Sequence, residues 1–169
     1  MVYERERTRE PEAGAEDAYD RSLRLWKEKR DRDLNGDIII KGDSTPPVQT
    51  QFALMGQMLP KLNTPLQEWN LWRIVVPTQT GKQAQQGGLA FFIEQGKGHS
   101  VLNNERVDWK KGDLVVVPIR ENEVEFQHYN DDPDSPSVCY MFRHRFFKEE
   151  IGSITRHIED SPDWTGSAS

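Results

Sequence analysis

The chain has 169 residues, 35% hydrophobic and 30% charged, with a formal net charge of −6; that suits one domain, and its sign argues against a nucleic-acid surface. No apolar run approaches the roughly 20 residues of a membrane helix, and the charged start from Met1 to Arg7 offers no secretory core. Cys139 is the only cysteine, which excludes an internal disulfide and a cysteine-based metal site; a cytoplasmic protein that binds neither nucleic acid nor membrane is expected.

Residues 1–14 are charged and carry Pro11 and Gly14, the composition of a disordered or partner-ordered tail. From Ala15 to Leu34 the spacing becomes helical. Tyr19, Leu23 and Trp26 fall at i, i+4 and i+7 on an otherwise charged helix, and Asn35-Gly36 supplies the stop. So narrow a stripe reads either as a surface helix packed on the main body or as an arm gripping another subunit. Strand patterns follow in Ile38 to Ile40, Thr50 to Met58 and Leu71 to Val76, punctuated by Pro46-Pro47, Pro60, Pro65 and Pro77. Leu89 to Glu94 is a strand and Gly96-Lys97-Gly98 a turn. His99 to Leu102 and Arg106 to Trp109 form a hairpin around Asn103-Asn104, a pair tolerant of positive φ. Asp113 to Val117, Val124 to Tyr129 and Val138 to Arg145 complete the strands, and a short helix is expected between Lys148 and Pro162. Many short strands at this spacing predict a mainly β, closed or double-sheet fold. Three parts result: a charged tail and helix (1–36), a β body (37–147) and a C-terminal tail (148–169).

Two segments carry a more specific signal. The run Gly81-Lys82-Gln83-Ala84-Gln85-Gln86-Gly87-Gly88-Leu89, with Gly96 beyond it, resembles the first signature motif of the cupin superfamily: Gly, a gap, His-x-His, a few residues, Glu, six residues, Gly. Counted back from Gly96, Leu89 holds the Glu position, and Gln83 and Gln85 hold the two His positions. Gly112 to Pro118, followed by Phe126-Gln127-His128-Tyr129-Asn130, resembles the second motif, with Phe126 in the place of its metal-binding His while His128 and Asn130 remain. The likeness spans about residues 50 to 145 and is similar in detail to gentisate- and hydroquinone-type ring-cleaving dioxygenases. It implies a single cupin (jelly-roll) barrel with an N-terminal helical arm.

Strand alternation gives an independent view of the same residues. Gln83, Gln85, Leu89, Phe91 and Ile93 share one parity, and so do Val124, Phe126 and His128, so each set points to one face of an extended segment. A lumen lined by Gln83, Gln85, Phe126 and His128 offers neutral amides, apolar groups and one imidazole. A mononuclear Fe(II) site of the oxygenase kind needs about three strong donors; Gln is weak, and Leu and Phe do not ligate. No metal is therefore expected at Gln83, Gln85, Leu89 and Phe126, and no catalytic residue is assigned. His99 reads as a surface residue, His144 as packing at a strand end, and His157 as part of the polar tail. No histidine pair has ligand spacing, and neither a nucleophile elbow nor a phosphate-binding Gly loop is present. Cys139 reads as a small core residue.

The resemblance implies a function that the composition does not. A barrel that keeps its motifs and loses its ligands fits the non-metal-binding small subunit of a two-subunit hydroquinone 1,2-dioxygenase. Its partner would be a larger cupin chain holding Fe(II), in a hetero-oligomer expected to be a heterotetramer, acting on an aromatic small molecule. This chain would stabilise the catalytic chain and help to line its pocket, with Trp72 or Trp69 as the pocket wall; the alternative for these two indoles is that they seal a barrel end. Two other readings stay open: a stand-alone metal-free cupin that binds a small molecule in its lumen, and a catalytic homo-oligomer that uses other ligands.

Overall fold

The computed structural model describes residues 17–42, 45–59, 64–66 and 68–166; the tail expected over residues 1–14 lies outside these. Helix α1 (Ala18–Asn35) begins where the Asp17 carboxylate accepts a hydrogen bond from Tyr19 N at 2.8 Å and ends where Gly36 N donates to Arg32 O at 2.9 Å. An Asp N-cap satisfies one of the orphan N–H groups of the first turn. None of the helix is buried. The stripe predicted from its spacing is real, but Tyr19 is 73% and Trp26 56% exposed, so it does not pack on the barrel. The Lys29–Glu68 ion pair, at 2.9 Å, tethers the helix to the start of the sheet.

Among the described residues eleven strands follow: β1 (Val48–Gln49), β2 (Leu54–Gln57), β3 (Trp69–Val76), β4 (Lys82–Gln85), β5 (Leu89–Gln95), β6 (Lys97–Leu102), β7 (Glu105–Lys110), β8 (Leu114–Val117), β9 (Val124–Asn130), β10 (Ser137–His144) and β11 (Arg156–Glu159), with helix α2 (Arg145–Glu150) between the last two. They form a six-stranded sheet, β1-β2-β3-β10-β5-β8, facing a five-stranded one, β11-β4-β9-β6-β7. Every pairing within the sheets is antiparallel. Ile74, Val76, Phe91, Ile93, Val117, Val124, Phe126, Cys139 and Met141 fill the space between them, where apolar burial at about 25 cal/mol per Å² supplies the main stabilising term. Cys139 is a core residue, as its place in an apolar strand implied.

The structure departs from the predicted elements in several places, among them Lys97 and Gly98, read as part of a turn, which open β6. Ile38 to Ile40 form no strand; Ile38 is 87% exposed, since β-branched residues become a strand only where a neighbouring strand pairs with them. Thr50 to Met58 is interrupted because Thr50 Oγ1 accepts from Phe52 N and Ala53 N, a side-chain turn that separates β1 from β2. Residues beyond 147 are not only a tail: β11 joins the five-stranded sheet beside β4, with His157 opposite Gln83, while α2 starts directly after β10.

A further correction concerns parity. Gln83 to Ile93 is not one extended segment. Gly87 (φ +89°) and Gly88 (φ +75°) turn the chain out of the five-stranded sheet and into the six-stranded one. A Cβ at Gly87 would collide with the Pro118 carbonyl, and its positive φ disfavours any side chain. The shared parity survives because both strands present that set to the same interior from opposite sides.

The outer faces of the two sheets differ. Outside the six-stranded sheet stand Phe92, Leu114 and Val116, 40–55% exposed, with Ile119 beside them. Outside the five-stranded sheet the strands show mainly Arg106, Asp108, Lys110, His99 and Tyr129.

Candidate functional site: a barrel lumen without metal donors

The fold brings together the four residues that the motif resemblance sets in ligand places. Gln83 lies directly opposite Phe126 across β4 and β9, and Leu89 lies directly opposite Arg143 across β5 and β10. With Gln85, Phe91, Phe52, Met55, Met141 and Thr155 these side chains enclose a cavity of about 60 Å³. A dry cavity that holds benzene measures about 150 Å³, so this lumen has no room for an aromatic ring.

The polar contacts in the lumen are sparse. Gln85 Oε1 accepts from Thr155 Oγ1 at 3.2 Å and from Arg143 Nη1 at 3.4 Å, and Lys148 Nζ donates to Thr155 Oγ1 at 3.2 Å. Burial holds the Arg143 pKa below the usual guanidinium range, because desolvation penalises the charged form. This donor set does not fit Fe(II). Two neutral amides share the cavity with two apolar groups, one amide oxygen already accepts two hydrogen bonds, and the Arg143 guanidinium lines the same cavity.

His128 is buried at 3% exposure, beneath the lumen wall rather than on it. Trp109 Nε1 donates to Ser100 Oγ at 2.9 Å, and Ser100 Oγ lies 2.7 Å from His128 Nδ1. The Ser100 hydroxyl accepts the indole hydrogen bond and keeps both a proton to give and a second lone pair, so it pairs with Nδ1 in either imidazole tautomer. Among the described residues the Nε2 atom has no polar partner, and the Phe91 ring stands edge-on with its centroid 4.2 Å from the imidazole centroid. Burial drives the His128 pKa down to about 3. The imidazole is therefore neutral at any ordinary pH.

The other histidines make surface or strand-end contacts. His99 Nδ1 is 2.9 Å from Asp131 Oδ1, and its ring stacks on Tyr129 at 4.6 Å. Asp108 and Asp131 close around it, but Arg106 bridges both carboxylates at 2.7 and 3.2 Å, so a cation already occupies the middle of that cluster. His144 packs edge-on against Trp69 at 5.6 Å, and His157 Nε2 lies 2.7 Å from Asp160.

The two tryptophans separate by strand parity. Trp72 turns inward and packs against the barrel's own core. Trp69 stands on the outer side, 42% exposed, at one wall of a groove of about 370 Å³ shared with Ala90, Val116, Ile119, Phe142 and His144. Arg143 was not singled out by sequence reasoning. Its signal was available: it shares parity with Cys139 and Met141 in an apolar strand, which points a cation inward.

No family model and no curated sequence matches the chain. Solved structures do resemble it. A cupin-like protein from Thermotoga maritima is 19% identical with a TM-score of 0.51, covering 75% of this chain and 92% of that one. A Streptomyces PAC13 variant with uridine is 13% identical with a TM-score of 0.53, covering 73% and 92%. Salicylate 1,2-dioxygenase from Pseudoaminobacter salicylatoxidans, as adducts with gentisate, is 19% identical with a TM-score of 0.51; the match covers 76% of this chain and 35% of the dioxygenase chain. At such identities the agreement is one of architecture alone: two antiparallel sheets packed as a cupin-like β-sandwich.

Proposed function

We propose that this chain is a non-catalytic, metal-free cupin subunit of a ring-cleaving dioxygenase, with hydroquinone 1,2-dioxygenase as the expected enzyme. The lumen carries this reading. Gln83, Gln85, Leu89 and Phe126 converge where ligands would be needed, yet they offer no donor set for iron, and the 60 Å³ space excludes a phenolic ring. Chemistry on such a ring has to occur in another chain.

Two surfaces favour a protein partner. The stripe of Tyr19, Leu23 and Trp26 on α1 is uncovered, and so is the apolar outer face around the Trp69 groove. Contiguous exposed apolar surface of this kind marks interaction sites. A larger cupin chain holding Fe(II) is the partner that the resemblance to ring-cleaving dioxygenases suggests, in a heterotetramer. Trp69 is the indole placed to reach it; Trp72 is committed to its own core.

The test is co-expression with a larger cupin dioxygenase chain, followed by size-exclusion chromatography and iron assay of each separated chain. A stable complex with iron only in the larger chain is expected. Iron near one equivalent in this chain alone, with ring cleavage, would overturn the reading. So would failure to form any complex.

A further inference from the structure

The lumen contains an uncompensated cation. Among the described residues Arg143 forms no ion pair; its only side-chain hydrogen bond is the 3.4 Å contact to Gln85, and its buried Nε has no partner. A guanidinium carries five N–H donors in a rigid fork, and 3.4 Å is long against a usual N–H···O separation of about 2.9–3.0 Å. The Gln83 side-chain amide, on the same cavity wall, makes no hydrogen bond among the described residues. Lys148 adds a second cation at the rim through Thr155. No acidic residue lines the cavity. A half-buried guanidinium without a counter-ion is partly desolvated, and an entering anion offsets that cost while gaining charge-assisted hydrogen bonds.

We infer that the lumen is a binding site for a small carboxylate, held by the Arg143 fork and the Gln83 amide. Size sets the class. Against the about 150 Å³ that holds benzene, a cavity of about 60 Å³ restricts the ligand to the smallest carboxylates, for which acetate is the probe. The carboxylate end meets Arg143, and a methyl group meets Phe52, Met55 and Phe91 on the apolar walls. Where other cupins use the lumen to hold a metal cation, this one uses it to hold an anion. The site belongs to this chain alone and stands whether or not a dioxygenase partner exists.

The test uses the full chain and acetate as the probe. Its thermal midpoint is followed as acetate rises, against sodium chloride at the same ionic strength and against acetamide, the neutral molecule of the same size. Labelled acetate is followed in parallel by NMR line broadening. A saturable rise in midpoint with acetate only, and broadening of the acetate signal, are expected. Arg143→Met should remove both responses; if that variant does not fold, Arg143→Lys, which keeps the charge but loses the fork, should weaken them at least tenfold. The inference is overturned if wild-type chain neither broadens acetate nor responds beyond chloride, if acetamide acts equally, or if Arg143→Met responds as wild type does.

Discussion

Acidification should unfold this barrel through one residue, His128. Its pKa falls from 6.5 to about 3 on folding because the ring is wholly buried without a charge partner. The folded pKa is the lower one, so between these values the unfolded chain binds the proton more readily. The contribution is complete above about pH 6.5 and is lost as pH falls toward 3. With about 1.36 kcal/mol per pK unit, the unfolded state gains roughly 2 kcal/mol at about pH 5, approaching roughly 5 kcal/mol below about pH 3. For a domain of this size the pH 5 step corresponds to about 4–8 °C in Tm. Urea unfolding from about pH 7.5 to about pH 5 measures it, with His128→Asn as the reference, because the Asn side chain keeps a polar group to pair with Ser100 but does not titrate. Wild type should lose roughly 2 kcal/mol more than the variant over that interval. Parallel stability curves would refute the reasoning, since they would mean that His128 takes up its proton without unfolding the chain.

Other outcomes follow from the same geometry. Chain purified from iron- or manganese-supplemented cells should contain far less than one metal per chain by elemental analysis, because Gln83, Gln85, Leu89 and Phe126 are not a donor set. Deleting residues 1–34 should leave the barrel's circular dichroism and unfolding midpoint nearly unchanged, since α1 buries nothing, while light scattering shows loss of the partner complex. Trp72→Ala should destabilise the chain by about 3 kcal/mol in denaturant titration, whereas Trp69→Ala should cost about 1 kcal/mol or less and act instead on complex formation. Leu89→Glu places a carboxylate directly across the strand pair from Arg143; it should supply an internal counter-ion and abolish the acetate response, checked by the same thermal titration.

Much of the lumen was legible before the fold was seen, for a specific reason. The spacing between Gln83, Gln85, Leu89 and Gly96 is local, and in a strand it dictates which residues share a face. Phe126 could be placed because Gly112 and Pro118 anchor its own motif. Parity with Cys139 and Met141 points Arg143 inward, but which residues it meets there was not legible. Its neighbourhood is made by β10 pairing with β5, a contact between segments about 50 residues apart, and no local pattern reports it. The same is true of β11, a four-residue strand that exists only because β4 offers it an edge. Ile38 to Ile40 show the opposite failure, a strong strand propensity with nothing to pair with.

The position of β10 has a consequence for how the protein is made. It lies in the middle of the six-stranded sheet, where Cys139 meets Ile74 on one side and Ile93 on the other. During synthesis, β3 and β5 therefore wait as unjoined strands until residue 144 has left the ribosome, and late non-local pairing of this sort slows folding. Helix α1 has no such dependence, because its hydrogen bonds close within four residues. A chain halted before Ser137 should thus present a helical arm beside unassembled strands, open to capture by whichever chain α1 engages before the barrel has closed.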